Sequence, residues 1–299
     1  MKKLLYLLLA CTLFSCKDEK KDFKKPTAEI HEIRTDLYGS WVGEFEIEER
    51  DTTREAKEET NKINILIKRI TPTEVIGQSI VAGNNRILKG QMIETENSIQ
   101  FTLKEPGDDK NDGVFNFEIK NDTILTGTWT AYNSKKEVTK RKYVLTKKQF
   151  KYDPTVMLPE EQMYVDYVNP KKAEIEITED STKTESGENE YDESDFNEYV
   201  YREASEAIYT LNSSTKKLKE SDLKNLKKLD LQILRNTIFA RHGLTFKTKT
   251  VRQFFDYVDW YIPISSNVDN ELSTTEKENI AVLKRFEKYA EDNYDSFGR

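Results

Sequence analysis

The sequence predicts a multidomain protein: an N-terminal antiparallel up-and-down β-barrel and a C-terminal small all-α domain, joined by an acidic disordered linker. Three features support this prediction. Apolar and polar residues alternate over 37–152, acidic residues dominate 174–198, and apolar residues recur at helical spacing over 210–299. Two blocks of ordinary composition on either side of a polar segment indicate two domains.

A short apolar run at 4–14 follows Lys2 and Lys3 at the start of the chain. A transmembrane helix needs about 20 apolar residues, so this run is too short to span a bilayer. A basic start followed by a short apolar run is typical of a secretory signal peptide, which we predict over 1–15.

The end of the apolar run, Leu-Phe-Ser-Cys at 13–16, resembles the lipobox of bacterial lipoproteins. The resemblance implies cleavage before Cys16, a diacylglyceryl group on its sulfur, and the membrane as a partner through that lipid. The Lys-Asp-Glu at 17–19 resembles a lipoprotein surface-export signal, which implies an outer-membrane location at the cell surface, with 16–36 as the lipidated tether. The alternative is an uncleaved anchor with an incidental cysteine. Because the other cysteine, Cys11, lies in the removed peptide, no disulfide is expected.

Charge is concentrated in one part of the chain. Residues 174–198 hold eleven acidic residues and one basic residue, Lys183, and the part at 178–198 has almost no apolar residues. Such a segment cannot bury enough apolar surface to offset its ordering entropy, so we predict that it is disordered within a linker over 153–209. Its acidic spacing matches no calcium-coordination loop. Neither domain has a basic stripe, and 37–150 holds eighteen basic and eighteen acidic residues, so nucleic acid is not expected as a partner.

The first domain, 37–152, has period-two alternation in its apolar segments. In the first segment Trp41, Phe45 and Ile47 alternate with polar residues. Further alternating segments lie at 61–70, 97–103, 113–119 and 139–145. Turn-forming residues separate the segments, and eight plausible strands with no helical period predict an antiparallel up-and-down sheet or barrel.

The Gly-Ser-Trp motif of the first strand and Arg141 in the last strand resemble features of the lipocalin and avidin group of β-barrels. The resemblance implies that Trp41 packs under a basic side chain of the final strand, Arg141, at one end of the barrel. A cation over an indole face would stabilise that end. An eight-stranded barrel has either a packed interior or space for one small ligand, and the sequence leaves both open.

The second domain has three helix signals. Ser221 and Asp230 are candidate N-caps of two helices, and Ser273 with Glu276 forms a capping box for a third. Five aromatic residues are concentrated at 254–261. In so small a domain, this density favours a hydrophobic core over a sugar-stacking platform.

Eight residues of this domain form a recognisable pattern: Arg235, Asn236, Phe239, Arg241, His242, Gly243, Trp260 and Tyr261. In order and spacing, over about 213–290, the pattern resembles the YARHG domain, a small module of bacterial extracellular proteins. The motif reads FARHG here, because Phe239 stands in place of the usual tyrosine. The resemblance implies a location outside the cytoplasm and implies no particular activity.

The Ala-Arg-His-Gly sequence has two interpretations. His242 is a catalytic base, or the segment ends a helix. In the second case Gly243 adopts the left-handed conformation of a Schellman motif, with Phe239 and Leu244 in contact and His242 near the negative end of the helix dipole. No partner base or nucleophile is near in sequence, so we predict the structural role.

The motifs predict no catalytic residue, no metal site and no cofactor. The chain has two histidines in all, and it lacks the hydrolase, zinc-protease and phosphate-loop motifs. We therefore predict a non-enzymatic binding or interaction role in the cell envelope, with a small apolar ligand, a glycan or a cell-wall component as partner. The alternative is an envelope hydrolase that acts on cell-wall material through carboxylates that the sequence does not identify.

Overall fold

The computed structural model describes residues 31–55, 60–120, 122–172 and 199–293. The predicted signal peptide, Cys16 and the acidic stretch at 174–198 lie outside the described residues, so what the sequence predicts for them stays a prediction. Among the helices in the described ranges, none is both long and apolar enough to cross a membrane.

Eight strands form a closed antiparallel barrel in sequence order, which confirms the predicted N-terminal fold. They are β1 (Gly39–Arg50), β2 (Asn61–Ile70), β3 (Val75–Val81), β4 (Asn84–Glu94), β5 (Ile99–Lys104), β6 (Gly113–Lys120), β7 (Ile124–Ala131) and β8 (Val138–Lys148). Because β1 pairs with both β2 and β8, the sheet has no free edge.

The barrel has a closed end and an open end. At the closed end, where β1 begins, a short 3-10 helix (Thr35–Leu37) precedes the first strand and buries Leu37 completely. Arg34 at this end forms ion pairs with Glu94 and Asp122, which lie at the ends of two hairpins. The open end, where β1 ends, has the connections that lead into β2, β4, β6 and β8.

Side chains fill the interior of the barrel over most of its length. Inward-facing apolar residues alternate with exposed ones, as in β5, where Ile99, Phe101 and Leu103 are buried. The Phe101 and Phe117 rings are stacked with centroids 4.8 Å apart. The sequence leaves open whether the barrel interior is packed or holds a small ligand. The structure shows a packed interior over most of the barrel and a cavity at its open end.

The C-terminal domain is helical and has its own hydrophobic core, as predicted. Its helices are α1 (Ala207–Thr210), α2 (Glu220–Leu223), α3 (Lys228–Arg241), α4 (Lys249–Phe255) and α5 (Thr274–Asn293). Phe254, Phe255 and Tyr261 are buried in this core, whereas Tyr257 is exposed. Most of the aromatic concentration at 254–261 is therefore core.

Two of the three predicted helix starts are wrong. α2 and α3 begin earlier in the chain than the predicted caps Ser221 and Asp230. Asp230 lies inside the first turn of α3, where its carboxylate accepts the backbone N–H of Lys227 at 2.9 Å. A carboxylate can satisfy the N-cap backbone from the third helical position, so an acid near a helix start does not have to be the cap itself. The capping box of Ser273 and Glu276 is present, with reciprocal distances of 2.9 and 3.2 Å.

The segments on either side of the acidic stretch pack with the helical domain. β9 (Val165–Lys172) and β10 (Tyr199–Glu203) pair as a two-stranded antiparallel sheet. Leu158, Tyr164 and Ile208 belong to the helical core. The described parts of the predicted linker, 153–209, are thus folded. The polar composition that predicts disorder is confined to the acidic stretch, whereas the segments on either side of that stretch contain apolar residues that can be buried.

Candidate functional site

The Ala-Arg-His-Gly sequence ends α3 in a Schellman motif. Gly243 has a φ of 72°, its N–H donates to the carbonyl of Ala240 at 2.9 Å, and the N–H of Leu244 donates to the carbonyl of Phe239 at 3.0 Å. These are the two hydrogen bonds that define the motif. The structure therefore has the helix stop that the sequence predicts.

His242 is buried and joins the end of α3 to the start of α5. Its Nε2 lies 2.9 Å from Oε2 of Glu276, and its ring stacks on Tyr152 with centroids 4.2 Å apart. The Tyr152 hydroxyl donates to the other carboxylate oxygen of Glu276 at 3.1 Å. Burial disfavours the charged Glu276 carboxyl, but hydrogen bonds from His242 and the Ser273 backbone outweigh it and lower the pKa of Glu276 to about 2. The surroundings of His242 support a structural role.

The neighbouring arginines of the motif also hold segments together. Arg241 donates two hydrogen bonds to the carbonyl of Val156, at 2.7 and 2.9 Å, and one to the Ser214 hydroxyl at 3.0 Å. Burial lowers the pKa of Arg241 to about 10. Arg235 forms an ion pair with Glu287 of α5. Both side chains therefore connect α3 to segments that lie elsewhere in the sequence.

The remaining motif residues belong to the packing of the helical domain. Trp260 donates from Nε1 to the carbonyl of Met157 at 2.9 Å, and the Tyr261 hydroxyl donates to the carbonyl of Leu244 at 2.7 Å. Asn236 is buried, and Phe239 packs half-buried against the core. The eight residues of the pattern are thus distributed through the domain and do not line one common cavity.

Two side chains of β2 attach the barrel to the helical domain. Lys62 is buried, and its Nζ donates to the carbonyls of Val258 at 2.6 Å and Tyr261 at 3.2 Å. Burial lowers the pKa of Lys62 to about 8. Asn64 donates to the carbonyl of Pro263 at 2.8 Å. These contacts bring one wall of the barrel against residues 258–263.

A groove of about 340 Å³ follows this interface, between β1, β8 and residues 256–259. Burial raises the pKa of Asp256 in this groove to about 6. A perturbed carboxyl in a cleft is a candidate catalytic acid. Its Oδ2, however, accepts the backbone N–H of Lys62 at 3.2 Å. The Asp256 carboxyl is therefore part of the contact between the two domains.

The predicted contact between Trp41 and Arg141 is wrong. Trp41 lies at the closed end, opposite Lys147 of β8, and the Lys147 Nζ is 5.7 Å from the centroid of the Trp41 ring. Arg141 pairs with Ile47, six residues further along β1. At a rise of about 3.3 Å per residue, this places Arg141 about 20 Å away. The final strand does supply a basic residue over Trp41, but the strand register selects Lys147.

The open end of the barrel contains a cavity of about 250 Å³, which we call the mouth cavity. Aromatic rings line one part of it: Phe45, Phe115 and Trp129. Its charged residues are Glu105, Lys136, Arg141 and, from α4 of the helical domain, Arg252. Barrel and helical domain therefore both contribute to its walls.

Glu105 fixes the Trp129 ring at the mouth cavity. Its Oε1 accepts the Ser79 hydroxyl at 2.8 Å, and its Oε2 accepts the Gly113 backbone N–H at 2.7 Å and the Trp129 Nε1 at 3.2 Å. Burial raises the pKa of Glu105, and these three hydrogen bonds oppose the rise. Both carboxylate oxygens are thus already in use within the protein.

Two of the basic residues in the mouth cavity lie over its aromatic rings. The Arg141 guanidinium is 5.1 Å from the Phe45 ring centroid, and it donates to the Phe45 carbonyl at 2.8 Å. The Lys136 Nζ is 5.6 Å from the Trp129 ring centroid and donates to Asn111 at 2.8 Å. Cations at these distances interact with the ring faces. The cavity therefore presents positive charge and aromatic surface side by side.

Sequence reasoning did not single out Glu105, Trp129 or Arg252. The alternation around Trp129 in β7 is consistent with an inward-facing ring, but alternation alone does not show which barrel end a residue approaches. Over the described ranges, no cluster of three metal-ligating side chains is found.

Comparison with family models matches residues 206–288 to the YARHG domain. The match covers the helical domain from just before α1 to the last part of α5 and leaves the barrel unmatched. Comparison with curated proteins and with solved structures finds no match.

Proposed function

We propose that the protein is a non-enzymatic binding protein of the cell envelope that takes a small ligand in the mouth cavity. The single observation that supports this proposal is the cavity, where aromatic rings and charged side chains converge at one end of a packed barrel. Small-molecule sites combine apolar walls with a few placed polar groups. A YARHG domain, as a module of extracellular proteins, is compatible with this role and location.

The size and polarity of the cavity favour one of the expected partner classes. Its volume of about 250 Å³ lies below the ~300–1,000 Å³ of sites for drug-sized ligands, which suits a ligand of about one sugar ring. Charged side chains in the walls disfavour a fatty acyl chain, because an apolar ligand leaves them desolvated without partners. A glycan or cell-wall component therefore fits better than a small apolar ligand.

The proposal is tested by titration calorimetry with N-acetylglucosamine, N-acetylmuramic acid and lauric acid. Trp129→Phe removes the indole at the cavity and its hydrogen bond to Glu105. Trp260→Phe is the matched control, because Trp260 lies in the helical domain. We expect a sugar to bind, Trp129→Phe to weaken its affinity about tenfold, and Trp260→Phe to leave it unchanged. Failure of both sugars and of N-acetylglucosamine 6-phosphate to bind, or equal affinities in wild type and Trp129→Phe, contradicts the proposal.

We further propose that a lipid on Cys16 holds the protein in the membrane. Two acyl chains give stable anchoring where one does not. Cys16→Ala should therefore move the protein out of the membrane fraction and abolish incorporation of labelled palmitate, whereas Cys11→Ala, the matched control, should change neither. Membrane retention and labelling of Cys16→Ala would show that another feature anchors the chain.

The alternative of an envelope hydrolase has less support. A general acid or base must exchange its proton with the substrate. Burial raises the pKa of two described carboxyl groups at cavities, Glu105 and Asp256, but both Glu105 oxygens accept hydrogen bonds from the protein, and Asp256 accepts the Lys62 backbone N–H. These contacts favour binding over hydrolysis.

A further inference from the structure

We infer that the mouth cavity selects anionic ligands and that the helical domain completes it by supplying Arg252. The inference rests on the proposed function and adds the charge of the ligand and the contribution of the second domain.

The charge balance of the cavity is the first support. Three basic side chains line it, Lys136 from the β7–β8 loop, Arg141 from β8 and Arg252 from α4. They face one carboxylate, Glu105, whose two oxygens already accept three hydrogen bonds within the protein. The chain as a whole has a net charge of −7, so a basic cavity does not follow from composition. A basic concavity in an acidic protein attracts anions.

The bonding of Arg252 is the second support. Its Nη1 donates to the carbonyl of Lys247 at 2.9 Å. Its Nε is buried and has no hydrogen-bond partner among the described residues. The Asp256 carboxylate oxygen lies 4.0 Å from that Nε, which is beyond hydrogen-bonding distance. That Nε is enclosed by protein, but Arg252 lines the cavity and its guanidinium forms one hydrogen bond with a described residue, through Nη1, so it keeps donor capacity for a ligand oxygen.

These features define a chemical class of ligand. The rings of Phe45 and Trp129 suit a ligand with a ring face, and the guanidinium of Arg252 suits a planar or tetrahedral oxyanion. The ligand is therefore a monosaccharide-sized anion. Its charge comes from a carboxylate, as in an acidic sugar, or from a phosphate, as in a sugar phosphate, and the test below separates these sources.

The test compares three probes on the full protein by titration calorimetry: N-acetylglucosamine, N-acetylmuramic acid and N-acetylglucosamine 6-phosphate. The first is neutral, and the other two have a carboxylate or a phosphate on a similar ring. We expect at least one anionic probe to bind about tenfold more tightly than the neutral one. Arg252→Gln should abolish this tenfold preference, because it removes the charged donor.

Two further variants keep the result interpretable. Arg69→Gln is the matched control, since Arg69 also has a buried Nε without a partner but lies at the closed end of the barrel. It should leave all affinities unchanged. Lys136→Gln should also weaken binding of the anionic probe, from the barrel side. If thermal melts show that Arg252→Gln does not fold, Arg252→Lys, which keeps the charge but loses the planar guanidinium, takes its place and should still weaken the preference for the anionic probe.

The outcomes separate this inference from the proposed function. Equal wild-type affinities for neutral and anionic probes, or equal losses in Arg252→Gln and Arg69→Gln, overturn the inference but leave the mouth cavity as a ligand site. Binding of none of the probes overturns the proposed function as well. A preference for the carboxylate probe or for the phosphate probe supports the inference and identifies the source of the charge.

Discussion

Replacing Gly243 by alanine tests the structural role of the Ala-Arg-His-Gly sequence. Gly243 has a φ of 72°, where a side chain costs about 1–2 kcal/mol. An alanine Cβ would lie 2.5 Å from Cγ1 of Ile264, 2.8 Å from the carbonyl oxygen of Ile262 and 3.0 Å from Cε2 of Phe150. The carbonyl of Gly243 accepts backbone hydrogen bonds from Ile264 and Ser265, so this neighbouring segment cannot withdraw without losing them. Overpacking of this kind adds about 1–3 kcal/mol, and the expected loss of unfolding free energy is about 2–5 kcal/mol.

Gly107→Ala is the matched control for backbone strain without a clash. Gly107 has a φ of 86°, and the nearest atom to an added Cβ, Cε2 of Tyr132, is 3.7 Å away. It should lose about 1–2 kcal/mol from strain alone. Both alanines restrict the unfolded chain equally, so this effect cancels in the comparison.

The assay is urea unfolding followed by far-ultraviolet circular dichroism, with free energies compared at equal m-values. A larger loss for Gly243→Ala than for Gly107→Ala is expected. Equal losses would refute the clash argument. A Gly243→Ala variant as stable as wild type would refute the requirement for a left-handed glycine at the end of α3.

Three other measurements test the network around Glu276 and the organisation of the chain. The folded pKa of Glu276, about 2, lies below its usual 4.5. The ionised carboxylate therefore stabilises the folded state by about 3 kcal/mol above pH 4.5, and this stabilisation is lost as the pH falls from 4.5 towards 2. Thermal melts of Glu276→Gln should show a flatter acid limb than wild type, and identical limbs would contradict the assignment. His242→Phe keeps a ring against Tyr152 but removes the hydrogen bond to Glu276. In urea unfolding it should lower the free energy of unfolding by about 1–3 kcal/mol. This is more than the ~0.3–1 kcal/mol expected if His242 interacted only with the helix dipole. Unchanged stability with lost ligand binding would instead make His242 functional. Limited proteolysis is expected to cut within 174–198. The fragments should co-elute in size exclusion because β9 pairs with β10, and separation without denaturant would contradict that pairing.

Local sequence patterns were sufficient for a large part of the fold. The alternation in segments such as 113–119 predicts strands because a pleated strand turns successive side chains to opposite faces. The capping box of Ser273 and Glu276 needs residues within one helical turn. The helix stop at Gly243 likewise depends on neighbours within a few positions. Each of these features was predicted and is present, because the interacting groups are close in sequence.

The candidate site was not predictable in the same way. Glu105, Trp129 and Arg252 come from a loop, a strand and a helix that are far apart in the chain, and none lies in a motif. Asp230 shows the same limit on a smaller scale, because its helix begins before it and its carboxylate also accepts hydrogen bonds from Ser205. Whether such a residue caps, pairs or lines a cavity depends on what packs against it.

The sequence by itself determined two classes of secondary structure, their order and the glycine at the end of α3, because these follow from backbone geometry and side-chain periodicity. Only the tertiary structure decided that Lys147, and not Arg141, lies over Trp41, because a strand register is set by pairing between β1 and β8. It also decided that Arg252 lines the mouth cavity, since α4 reaches the barrel only when the helical domain docks against β2. Contacts between distant residues depend on the packing of the whole chain, which local patterns do not encode.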